Sequence, residues 1–140
     1  MTSRARHGGM TLMELMVVMV IVAIISGIAI PGYRAYVLRA HRAEAKAAVL
    51  AMAGQLERCF TRFNAYDDAL CTVDITDFPS EEGNYLLNAD ADSTTFTITA
   101  APQGRQAEDK CGSFTFDSSN GKDTVGGSRP AAHCWGASPL

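Results

Sequence analysis

Gly8-Gly9-Met10-Thr11-Leu12-Met13-Glu14-Leu15, continuing as LMVVMVIVAIISGIAI from Leu15 to Ile30, decides how the rest of this 140-residue chain is read. No charged residue falls between Leu15 and Tyr33. With Met10–Met13 before it and Pro31–Tyr33 after it, the apolar span is about 24 residues, and at roughly 1.5 Å per residue it is long enough to cross a ~30 Å hydrocarbon core. Glu14 breaks the pattern. A carboxylate near the centre of such a segment costs on the order of 3 kcal/mol, and less near an end. A short basic stretch with Arg4 and Arg6 precedes the span.

A secretory signal would have this basic start and apolar centre, with Gly27-Ile28-Ala29 as a small-x-small cleavage site. The run is too long for that, however, and Pro31 would lie just past the cut. A plain membrane anchor explains the length but leaves Glu14 unexplained.

The residues Gly9, Thr11-Leu12, Glu14 and Pro31, with a basic leader and an uninterrupted apolar run, resemble the class III signal of type IV pilins and pseudopilins. The resemblance implies a prepilin peptidase cutting between Gly9 and Met10 and N-methylation of Met10. It also implies an assembly role for Glu14, fifth in the mature chain, and for Pro31, where the family's membrane helix bends. Met10 departs from the family's usual Phe. The electrostatics agree independently: cleavage creates an amine at Met10, four residues from Glu14, and opposite charges attract strongly where water is scarce. In a helical bundle, Glu14 of one subunit would neutralise the amine of its neighbour and set the axial register. Met10, Met13, Met16 and Met19 recur at i+3, a flexible stripe suited to packing or to facing lipid.

Beyond Pro31 helix-forming sequence resumes at Arg34. Ala45, Val49, Met52, Leu56, Cys59 and Phe63 are spaced 4, 3, 4, 3, 4, which marks one helical face. A single helix from Thr11 to Phe63 is expected, bent or locally melted at Pro31. Its second half needs a surface to lie on. Asn84–Ala89, Thr94–Ala101 and Ser113–Asp117 read as strands, the second alternating Thr with Phe96, Ile98 and Ala100. Asp90–Ser93 and Ala101–Gln106 read as loops, and Ser119–Lys122 as a turn. The expected fold is α+β: a long bent helix packed on a small antiparallel sheet, the pilin fold. The divisions are a removed leader (1–9), a transmembrane or filament-core half-helix (10–33), an amphipathic half-helix (34–63) and a globular head (64–140).

Cys59, Cys71, Cys111 and Cys134 lack zinc-site spacing, and four cysteines allow three pairings. The favoured set is Cys59–Cys71, stapling the helix end to the next loop, and Cys111–Cys134, fastening the last strand to the tail. Arg4 and Arg6 precede the span, and Arg34, Arg39, Arg42 and Lys46 follow it, so charge leaves the orientation ambiguous. Disulfides need an oxidising compartment, so the head is expected outside the cytoplasm: periplasmic before assembly, on the cell surface in a pilus afterwards.

No nucleophile triad, phosphate-binding glycine loop or metal-ligand series is present, so neither an enzyme nor a cofactor is expected. His7, His41 and His133 are scattered. The acid pairs Asp67-Asp68 and Glu81-Glu82 could hold calcium, but solvated loop charge is the stronger reading. Without its leader the chain has 10 basic and 15 acidic residues, a net of −5. DNA is therefore not the favoured partner, although Arg105, Lys110 and Lys122 with Phe114 or Trp135 could bind a strand. The resemblance, with two disulfides and the ending Ala-His-Cys-Trp-Gly, points most to a minor pilin. Its partners would be other pilins, the peptidase/methyltransferase, the inner-membrane assembly platform and the membrane itself. A major pilin, a type II secretion pseudopilin and a DNA-binding pilin are the alternatives.

Overall fold

The computed structural model describes residues 10–71, 73 and 76–136. The leader and Gly9 lie outside the described residues. The chain divides into two compact units, Met1–Val37 and Leu38–Leu140. Helix α1 (Leu12–Phe63) is unbroken through Pro31, so the local melting open to a proline there does not occur. The carbonyl deprived of its usual N–H partner is that of Gly27, one turn earlier. Among the described residues of the first unit, the apolar side chains as far as Tyr36 are exposed, Leu12 at 78% and Ile28 at 75%. By length and hydropathy this stretch can span a membrane.

In the second unit Ala45, Val49, Met52, Leu56 and Cys59 are buried, as the helical spacing predicts, and Phe63 is half-buried. Ala45, Val49, Met52 and Leu56 pack in one core with Tyr85, Leu87, Phe96, Ile98, Phe114 and Phe116 from an antiparallel sheet. Side chains alternate faces along a strand, so every second residue of β2 (Tyr85–Ala91), β3 (Phe96–Pro102) and β4 (Gly112–Asp117) points inward. The sheet has five strands rather than three. β1 (Phe78–Pro79) adds an edge against Leu86 and Leu87, and β5 (Lys122–Gly126) pairs with β4. The strand order is β1-β2-β3-β4-β5.

The loop expectations are corrected in three places. β2 runs on through Asp90 to Ala91, because its ladder with β3 extends to the pair Ala91↔Phe96. β3 reaches Pro102, whose missing N–H is harmless at a strand end. Gly104–Glu108 then forms a 3₁₀ turn. A five-residue helix α2 (Ala131–Trp135) follows β5 and ends at Gly136, whose φ of +91° suits glycine.

The outward face of the sheet is hydroxyl- and amide-rich. Asn88 opposes Thr99, Thr99 opposes Thr115, and Thr115 opposes Asp123. Beside them Asp90 opposes Thr97, which opposes Asp117.

Candidate functional site

At the start of α1, the Thr11 Oγ1 accepts the Glu14 N–H at 3.2 Å, and the Thr11 carbonyl accepts the Leu15 N–H at 3.1 Å. Thr11 is therefore the N-cap, and Thr-x-x-Glu is a capping-box pattern. Met10 lies just outside the helix. In hydrocarbon, where water cannot satisfy first-turn N–H groups, such a cap counts for more than it does in solution.

In the head, cysteine pairs close the ends. Cys59 bonds Cys71 and Cys111 bonds Cys134. The second bridge seats α2 beside β4 and β5. There the Trp135 ring packs edge-on against Phe114 at 5.4 Å and tilted against Phe116 at 6.4 Å. Its indole N–H donates to the Asp123 carbonyl at 2.9 Å. The Lys122 ammonium stands 5.9 Å from the same ring's centroid, within cation–π range.

Lys110, next to Cys111 of that bridge, is joined to Arg129 through the main chain. The Lys110 carbonyl accepts the Ser128 N–H at 2.8 Å and the Arg129 N–H at 3.1 Å. The backbones touch so closely that a Cβ on Gly127 would collide with the Lys110 and Cys111 carbonyls. Gly112, at φ +65°, faces Val125 and Gly127 equally closely. The Arg129 guanidinium is hydrogen-bonded to His133 Nε2. Arg105, Lys110, Lys122 and Arg129 are all exposed, and Trp135 is half-exposed.

Of the basic–aromatic set expected from sequence, the structure brings Lys110, Lys122 and Trp135 around one disulfide and places Arg105 on the adjoining 3₁₀ turn. Phe114 is corrected: it is fully buried and offers no face for a base to stack on. Arg129 joins the group through main-chain pairing that no sequence spacing reveals.

Beneath the 3₁₀ turn lies a buried polar cluster. Arg42 donates from Nε to Asp109 Oδ2 at 2.7 Å and from Nη2 to Asp109 Oδ1 at 2.6 Å. The Gln106 Nε2 donates to the Leu38 carbonyl at 3.1 Å and to the Tyr85 hydroxyl at 2.8 Å, while its Oε1 accepts from His41 Nδ1 at 3.1 Å. The Asp109 bond raises the Arg42 pKa, against the pull of burial. Arg42 sits three residues before Ala45 on the helix's core-facing side. An arginine in that register is the one sequence signal that could have marked the cluster.

One acid of each pair is engaged by nearby groups. Asp68 Oδ1 accepts the Leu70 N–H, and Glu82 Oε2 takes an Asn84 side-chain N–H and lies 3.8 Å from His41 Nε2. Among the described residues no three His, Cys, Asp or Glu side chains gather as metal ligands.

Comparison with known proteins bears on both regions. Residues 4–30 match the prokaryotic N-terminal methylation motif. No curated protein sequence matches the chain. Among solved structures it is similar to a type IV pilin from Shewanella oneidensis, with 20% identity over 66% of this chain and 97% of that one and a TM-score of 0.49. A family model described as "Type IV minor pilin ComP, DNA uptake sequence receptor" matches residues 31–115, more than half of the 140. The chain belongs to that family of type IV minor pilins, whose members share the structural role of pilus subunits.

Proposed function

We propose that this chain is a minor pilin that brings a DNA-receiving head to the pilus surface. The observation that carries the reading is the family match over residues 31–115, the described family being DNA uptake sequence receptors. It reverses the weighting that net charge alone suggests. A charge of −5 averaged over the mature chain says little about a local patch, and phosphate binding depends on the patch. Lys110, Lys122 and Arg129 near the half-exposed Trp135, with Arg105 alongside, supply cations for phosphates and one aromatic surface for a base. Lys122, Arg129 and Trp135 lie beyond the matched residues.

The chain is made as a prepilin and held in the inner membrane by residues 10–33, with the amphipathic half 34–63 and the head 64–140 in the periplasm. The prepilin peptidase cuts after Gly9, Met10 is N-methylated, and the assembly platform passes the subunit into a filament of other pilins. Glu14 neutralises a neighbouring amine there, and Pro31 shapes the helix for packing. The Cys59–Cys71 and Cys111–Cys134 bridges brace the head. The methylation motif over 4–30 supports the processing steps.

The test of DNA reception uses the processed full-length chain in detergent micelles with duplex and with single-stranded DNA. Retention should weaken as salt rises, log K falling by about 0.9 per phosphate neutralised for each unit of log salt. No retention at low salt would sink the DNA reading and leave the pilin assignment standing. Mass spectrometry of sheared filaments should find, in trace amounts, a peptide beginning at methylated Met10. An uncleaved leader would overturn the processing steps.

A further inference from the structure

We propose that the buried Arg42–Asp109 ion pair, with Gln106, is a positioning device that holds Arg105, Lys110 and Arg129 at fixed spacing for nucleic-acid phosphates. This rests on the DNA reading given above. The chain alternates between anchor and offering: Arg105 is exposed, Gln106 buried, Ala107 and Glu108 exposed, Asp109 buried, Lys110 exposed. Gln106 and Asp109, 1% and 7% exposed, are tied to α1 by bonds to Leu38, His41 and Arg42. Each basic side chain beside an anchor therefore leaves the surface from a backbone position fixed against the helix. The next link is covalently adjacent: the Lys110 carbonyl receives the Ser128 and Arg129 N–H groups, so the same anchor also locates Arg129.

A second argument comes from the nature of the anchor. A buried ion pair is seldom more stabilising than apolar residues of the same volume, because both ions are taken out of water. What a two-pronged arginine–carboxylate pair supplies is geometry, since the planar fork admits one orientation. Phosphates recur along a strand at fixed intervals, so the spacing of the cations decides how many engage at once. Arg42 and Asp109 lie inside the head, and their effect on binding passes through the exposed residues; they are positioning residues rather than contacts.

The experiment replaces the pair without changing net charge, using Arg42→Met with Asp109→Leu in the processed full-length chain. Duplex DNA binding is measured across a salt series beside thermal unfolding. The expected result is near-normal unfolding with binding several-fold weaker and a salt slope shallower by about one unit. Arg105→Gln with Lys110→Gln should then cost less affinity in the Met/Leu background than in the wild type, because both changes act on the same contacts. A purely structural role would give additive losses. Should the double replacement fail to fold, Arg42→Lys keeps the charge and removes the fork, and a smaller shift in the same direction is expected. Unchanged affinity and slope in a folded Met/Leu or Lys variant would overturn the inference alone. A wild type that binds no DNA would overturn it together with the reading beneath it.

Discussion

The Tyr85 hydroxyl accepts from the Gln106 side-chain amide at 2.8 Å in a position with no solvent exposure. Burial pushes the Tyr85 pKa up to about 12, opposed by the Gln106 bond and assisted by the nearby Asp109 charge. A tyrosine in the unfolded chain ionises near ~10. Below that pH both states are protonated and the head keeps its full stability. Above it the unfolded state loses a proton that the folded state retains, so stability falls from about pH 10 until the folded group ionises near 12. Tyr85→Phe should lose about 1 kcal/mol at neutral pH and flatten this alkaline decline. Denaturant titrations at stepped pH, followed by tyrosinate absorbance, check both.

Glu14→Val should leave leader cleavage intact while reducing methylation and incorporation into filaments. Thr11→Ala, which removes the cap, should weaken the first turn of α1 by about 1 kcal/mol, and Thr11→Ser should restore it. Amide exchange at residues 12–14 reads the turn, and mass spectrometry of filaments reads processing. Normal piliation by the Glu14 variant would remove the role assigned to the carboxylate.

Gly127→Ala drives a methyl group into the Lys110 and Cys111 carbonyls, both of them backbone and unable to swing aside. A loss of about 1–3 kcal/mol is expected, the range for forced overpacking. Formation of the Cys111–Cys134 bond should slow as well. Thermal unfolding and free-thiol titration during oxidative refolding measure the two effects. Gly126→Ala is a contrasting control: nothing lies in its way, and its cost comes from φ +76° alone.

The two bridges close chain segments of different size, with separations of 12 and 23 residues. Loop-closure entropy makes removal of the longer one more damaging by about 0.6 kcal/mol, on a base of roughly 2–5 kcal/mol for either. Paired Cys→Ser variants compared by chemical denaturation test the order. Equal losses would show that effects in the folded state outweigh chain entropy.

Periodicity made the helix legible, because Ala45, Val49, Met52 and Leu56 all meet one core, and alternation did the same for β2, β3 and β4. β5 escaped because Lys122-Asp123-Thr124-Val125-Gly126 carries no buried side chain, and Trp135 of α2 packs against the core beside it. β1 is two residues long, one of them proline, and α2 has five. Elements this short are specified by what they dock on, and the sequence pattern holds no record of that. The same holds for the basic group. Arg42 and Asp109 are 67 positions apart, and Arg129 reaches Lys110 only through main-chain bonds. Phe114 was misplaced for the converse reason: an aromatic in an alternating strand can face either side, and the sheet turned it inward.

The ladder of Asn88, Thr99, Thr115 and Asp123 across the outer sheet has a consequence for crowding. Short hydroxyl, amide and carboxylate groups hold their hydration and give a passing surface little to grip. Wherever this face borders another molecule, that bound water has to be displaced first, and the face offers a partner little apolar area in return.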